Sequence, residues 1–89
     1  MNMATDIYEV EYKVLDYSKL DFFEGGVLEE FWEQVIEEFE GMSGESGTFI
    51  HLPTREEALD RFSHYGKKAV NTLRKFGDKY GWNKDYFIG

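Results

Sequence analysis

Two stretches of this chain repeat apolar residues at the three-and-four spacing of one helix face, and they leave little freedom in what it can fold into. In the first, Val27, Leu28, Phe31, Trp32, Val35, Ile36 and Phe39 line up over residues 27–40. In the second, Ala58, Leu59, Phe62, Ala69, Val70, Leu73, Phe76 and Tyr80 keep phase over residues 54–80. Gly41 stands where a helix C-terminal stop belongs. Thr54-Arg55-Glu56-Glu57, just after Pro53, has the form of a capping box opening the second helix. Unbroken, that helix would run about 40 Å at ~1.5 Å per residue. Gly66 interrupts it at a cost of about 1 kcal/mol relative to Ala, which predicts a kink or a close approach there.

The rest of the chain reads as strands and loops. Residues 7–17 alternate: Tyr8, Val10, Tyr12 and Val14 share one face, and Glu9, Glu11 and Lys13 the other. This predicts a strand with its aromatic face buried and its charged face wet. Residues 18–26, with Phe22-Phe23 and Glu24-Gly25-Gly26, and the glycine-rich residues 41–47 read as loops. Residues 48–52 form a short strand ended by Pro53, and the apolar Tyr86-Phe87-Ile88 predicts a docked edge strand over 85–88. With no repeat or linker, the order predicts one α+β domain over residues 1–89. Two amphipathic helices would pack on a small two- or three-stranded antiparallel sheet.

A chain of 89 residues buries only a modest share of its surface, so its core must be efficient. Phe, Tyr and Trp make up 18% of the residues and supply that efficiency. The absence of cysteine excludes disulfide scaffolds, cysteine-based zinc sites and thiol nucleophiles, and points to a reducing cytoplasm. No basic-then-apolar secretory leader and no apolar run of ~20 residues occurs.

No pattern for catalysis, metal or cofactor binding emerges. His51 and His64 are the only histidines and match no short metal pair, reading instead as a strand residue and a helix-surface residue. Gly41, Gly44 and Gly47 recur like a phosphate cradle. The phosphate-loop lysine is missing, however, and Glu40 and Glu45 would repel phosphate. No Ser or Thr stands in a nucleophile setting, and glutamates spread over a helix face diverge into water and do not converge on one ion. The chain is therefore expected to be non-enzymatic.

The net charge of −8 is unevenly laid out. Residues 1–60 hold sixteen acids against Lys13, Lys19 and Arg55, giving −13; residues 61–89 hold Asp78 and Asp85 against seven bases, giving +5. The polar positions of the first helix are Glu29, Glu30, Glu33, Gln34, Glu37, Glu38 and Glu40, with no base among them. Like charges three and four residues apart each cost a few tenths of a kcal/mol. Acids at the helix C-terminus also meet the negative end of its dipole. Folding stability alone would have placed lysines here. Six charges from Glu29 to Glu40 at ~1.5 Å rise per residue average one per 3.3 Å, close to the ~3.4 Å phosphate spacing of a DNA strand. The ordinary alternatives are a solvated face that keeps the protein soluble, or pairing with the bases Lys67, Lys68, Arg74, Lys75 and Lys79. These bases lie opposite the apolar stripe of the second helix.

In size, acidity, aromatic richness and lack of catalytic residues, the chain resembles small acidic counter-defence proteins of viruses and mobile elements, such as DNA-mimic antirestriction proteins and anti-CRISPR inhibitors. The basic last third departs from mimics that are acidic throughout. The resemblance implies a protein-binding inhibitor or adaptor in the host cytoplasm. Its partner would be a protein with a basic, nucleic-acid-binding surface, and no membrane would be involved. Asp21, Glu24 and Glu45 would extend the acidic helix face, and Phe22 or Phe23 would serve as aromatic anchors. The rival readings are a nucleic-acid-binding module using the basic face of the second helix, which the net negative charge opposes, and a structural subunit of a larger assembly.

Overall fold

The computed structural model describes residues 12–20 and 28–89. Within them lie β1 (Lys13–Leu15), α1 (Leu28–Glu38), β2 (Met42–Gly44), β3 (Gly47–Leu52), α2 (Arg55–Arg61), α3 (Lys67–Tyr80) and β4 (Lys84–Ile88), with 3-10 turns at Tyr17–Lys19 and Ser63–Tyr65. The fold is α+β, with helices on one face of a sheet. The sheet is four-stranded and mixed, in the order β1-β4-β3-β2, where a two- or three-stranded antiparallel sheet was expected. β1 runs parallel to β4, while β4–β3 and β3–β2 are antiparallel. The C-terminal strand is therefore central and not an edge. Its Tyr86 and Ile88 lie in the core beside Leu15, Ile50 and Leu52.

The predicted helix over 54–80 is broken. Ser63 Oγ donates to the Asp60 carbonyl at 2.7 Å, and Gly66 adopts a φ of +101° that a side-chain residue rarely takes. Open space surrounds Gly66, so the glycine serves the backbone turn and not a close approach. The reason for a break is geometric. Among the described residues the longest strand, β3, has six residues and spans about 20 Å at ~3.3 Å each. A continuous helix of twice that length would leave half its apolar stripe uncovered. Broken, both halves turn onto one core. Thr54 accepts from the Glu57 amide at 3.4 Å, so half of the predicted capping box forms; the Glu57 carboxylate goes to Arg61 instead, at 3.6 Å.

Phe62 occupies the break and is fully buried. Its ring stacks on Phe39 at 5.8 Å and lies 6.1 Å from Phe31 and 4.7 Å from Tyr65. Trp32 meets Phe76 edge-on at 5.4 Å, and Phe76 meets Tyr86 at 5.2 Å. Aromatic contacts thus connect α1 to the α2–α3 turn, to α3 and to β4. Burial pushes the Tyr86 hydroxyl up to about 12, and that hydroxyl donates to the Gly81 carbonyl at 2.5 Å. At the far end of the helices, Arg55 reaches Asp78 at 2.9 Å, and the Trp82 indole N–H donates to the same carboxylate at 2.8 Å. Gly77 permits this arrangement, since a Cβ there would clash with the Trp82 ring.

Two local expectations are reversed. Of the strand predicted over 7–17, residues 7–11 lie outside the described residues, and the remainder ends at Leu15 in a 3-10 turn. Its faces are also exchanged: Leu15 is buried with the helices, whereas Val14 is 66% exposed and Tyr12 is 44% exposed on the opposite face. The register pairs Leu15 with Ile88, and a period of two then sends Lys13 to the helix side. Lys13 escapes burial by extending to the Tyr80 carbonyl at 3.2 Å, at the end of α3. The glycine-rich stretch expected as a loop over 41–47 forms the β2–β3 hairpin instead, with Gly47 at a φ of +148° against the Ile88 carbonyl and the Phe87 ring.

Phe62→Ala is expected to cost about 4 kcal/mol, enough to bring a domain of this size close to its unfolding threshold. Gly77→Ala should cost about 2 kcal/mol by displacing the indole. Urea titrations measure both. The hydrogen bonds from Arg55 and then Trp82 hold the Asp78 carboxyl below its ordinary value of 3.8. A depressed carboxylate stabilises the fold above that value, and the contribution is lost as pH falls through the lowered one. Thermal melts between pH 2 and 5 should therefore show a flatter acid limb for Asp78→Asn than for the parent.

Candidate functional site

The acidic positions of α1 separate into two groups. Phe31, Trp32, Val35 and Phe39 face the core, and Glu29, Glu30, Glu33 and Glu37 are exposed on the far side. At about 100° per residue these four carboxylates fall within an arc of about 100°, so they form a ridge and do not encircle the helix. Among the described residues none of the four lies within 4 Å of a base. From Glu29 to Glu37 the ridge is about 12 Å long at ~1.5 Å per residue, one charge per roughly 4 Å. It is sparser than the line expected from the sequence, because two of the six carboxylates are elsewhere.

Glu38 is one of them. It turns toward α2 and is only 19% exposed. Its carboxylate lies 3.3 Å from Arg61 and 3.3 Å from His64, and its backbone carbonyl accepts from Arg61 at 2.6 Å. Arg61 also sits 5.1 Å over the Phe39 ring. The base missing from α1 itself is thus supplied by α2, at the helix end where carbonyls lack intrahelical partners and the dipole is negative. His64 belongs to the 3-10 turn, where its ring lies 4.1 Å from that of Tyr65 and tilted by 36°. Burial, and then the charges of Glu37 and Glu38, push the Tyr65 hydroxyl above its ordinary value.

Glu40 is the other. It follows the helix and adopts a φ of +55°, while the Gly41 amide donates to the Ile36 carbonyl at 2.9 Å. This is a Schellman-type ending with glutamate where glycine is preferred. Gly41, predicted as the helix stop, has a different task. A Cβ there would lie 2.7 Å from Ile50 and 2.9 Å from the Phe49 carbonyl, so it brings the end of α1 down onto β3. Glu45 lies exposed in the hairpin turn. Asp21, Phe22, Phe23 and Glu24 lie outside the described residues.

The basic positions are less uniform than their spacing on α3 suggested. Lys67, Lys68 and Lys79 are exposed, and Arg74 and Lys75 are half-buried. Arg74 donates to the Asn71 side chain. The acidic and basic faces meet along the seam of α1 and α3, where Glu30, Phe31, Gln34, Tyr65, Lys68, Ala69 and Thr72 line a cleft of about 230 Å³. That volume is below the ~300–1,000 Å³ of most small-molecule sites. Among the described residues, no group of three His, Asp or Glu could hold a metal ion, and no helix is long and apolar enough to cross a membrane.

A second surface escaped the sequence reading. On the sheet face away from the helices, Val14, Phe87, Phe49 and Met42 stand in register across all four strands. Tyr12 lies edge-on to Phe49 at 5.0 Å, and the cross-strand pair His51–Asp85 closes to 2.5 Å beside the row. Its signal was Phe49 and Phe87 alternating with the core residues of their strands. Reading it required knowing that 41–47 makes a hairpin. No protein-family model matches the chain, and no curated protein or solved structure matches it significantly.

A left-handed glutamate costs about 1 kcal/mol relative to glycine. Glu40→Gly should therefore raise stability by about 1 kcal/mol in urea titrations.

Proposed function

We propose that this chain is a non-enzymatic binding protein that docks the α1 ridge on a basic surface of a partner protein. The observation that carries the reading is that four neighbouring carboxylates share one helix face with no base beside any of them among the described residues. Asp16, Glu38, Glu57, Asp78 and Asp85 each meet a base or histidine within 4 Å. Glu29, Glu30, Glu33 and Glu37 meet none among the described residues, although Lys68 lines the same cleft as Glu30. Their mutual repulsion costs a few tenths of a kcal/mol per pair, and a basic partner surface would reverse the sign of that cost. Such a surface is common where proteins bind nucleic acid, so an inhibitor or adaptor acting by occupying that site is the role we infer. Electrostatic steering would make association fast and salt-sensitive.

The test is a triple substitution, Glu30→Gln with Glu33→Gln and Glu37→Gln. All three side chains are exposed, so the fold should be preserved. Pull-down from a lysate at low and high salt identifies partners, and titration of a captured partner measures affinity. The parent should lose about tenfold in affinity between 50 and 300 mM salt, and the triple variant should bind weakly with a flat salt dependence. Unchanged affinity and salt slope in the variant would falsify the proposal. Direct DNA binding by the parent in a low-salt gel shift, abolished by Lys67→Gln with Lys68→Gln, would favour the α3 basic face instead.

A further inference from the structure

We infer that the free edge of β2 is a second part of the docking surface, and that it takes an extended, basic segment of the partner as a fifth strand. The inference rests on the proposed acidic docking role and names the partner's element. β2 is outermost in the sheet and pairs only with β3 among the described residues. Edge strands are usually guarded by lysine, proline or a cover, or are kept short, and at three residues β2 has, among the described residues, only the last of these devices. β2 reads Met-Ser-Gly, with all three residues exposed and no lysine or proline among them.

Two further observations specify the occupant. The apolar row Val14–Phe87–Phe49–Met42 crosses the whole sheet and ends open at Met42, which is 70% exposed. An added strand would place a side chain about 5 Å from Met42 on the same face, so an apolar residue there continues the row. The edge is also bracketed by carboxylates: Glu40 precedes β2 and Glu45 follows it, both exposed. Glu40 is held in a left-handed conformation at this junction. Gly41, packed on Ile36 and Ile50, brings the ridge-bearing helix against the same end of the sheet. Alternating Lys or Arg with apolar residues is the segment chemistry that meets both features, with main-chain hydrogen bonds supplying the pairing.

The probe is a fluorescein-labelled peptide of alternating Lys and Val, seven residues long, titrated with the whole chain by fluorescence anisotropy. A copy N-methylated on alternate amides keeps every charge and side chain but cannot pair along one edge. The unmodified peptide should bind, with amide shifts centred on Met42–Gly44 in NMR spectra. N-methylation should weaken binding about tenfold, as should Met42→Lys, which installs the usual guard at an exposed position. Glu40→Gln with Glu45→Gln should weaken it about fivefold. Equal binding of the two peptides, or shifts confined to α1, rejects strand addition and leaves the ridge proposal standing. No peptide binding at all also rejects it. Concentration-dependent dimerisation of the chain alone, removed by Met42→Lys, would reassign the edge to a second copy and overturn the partner segment. Conversely, failure of the ridge is read only from the triple glutamine variant with a captured partner, so the two failures are separable.

Discussion

The packing of Phe62 against Phe31, Phe39 and Tyr65 is the contact on which the rest of this fold depends. It sits where α2 ends and the chain turns toward α3, so one buried ring holds the break in place and fastens α1 over it. Aromatic side chains suit that task in a short chain, because each buries a large area for few rotatable bonds. With no cysteine in the chain, such contacts and not disulfides connect the described helices with the strands. Trp32, Phe76 and Tyr86 extend the same contact network to the centre of the sheet.

That packing also sorts the charges. Turning α2 back beside α1 brings Arg61 and His64 to the C-terminal end of α1, where they meet Glu38 and, through Arg61, its carbonyl. The remaining glutamates of α1 are left on the opposite side with no base to meet among the described residues. A helix that looks uniformly acidic in sequence is therefore neutralised on its inner margin and bare on its outer ridge. The proposed docking role attaches to this second group. With Glu38 and Glu40 out of the line, the ridge carries one charge per roughly 4 Å and no longer matches the ~3.4 Å phosphate spacing of a DNA strand.

The sheet adds a contrast. Its inner face is closed by helices, while its outer face carries a row of apolar residues running to the short, exposed edge strand beside Glu40 and Glu45. Apolar surface and negative charge are thus adjacent at the end of α1, and in the proposed docking the first would anchor and the second steer.

By itself, the sequence determined the helix over α1, the start of α2, the strand β3, the α+β class and the acidic ridge. Each of these depends on local periodicity or on residue type at a cap, which the chain carries without reference to distant partners. Only the tertiary structure decided the rest. Whether residues 54–80 form one helix or two depended on the length of the strands beneath them. Whether Val14 or Leu15 faced the core depended on register against Ile88, to which alternation is indifferent. The central place of β4 and the pairing of β2 were likewise settled by non-local hydrogen bonds. Which glutamates stay bare was decided by where Arg61 arrived, since the charge on a helix face is read from sequence but its neutralisation comes from another element.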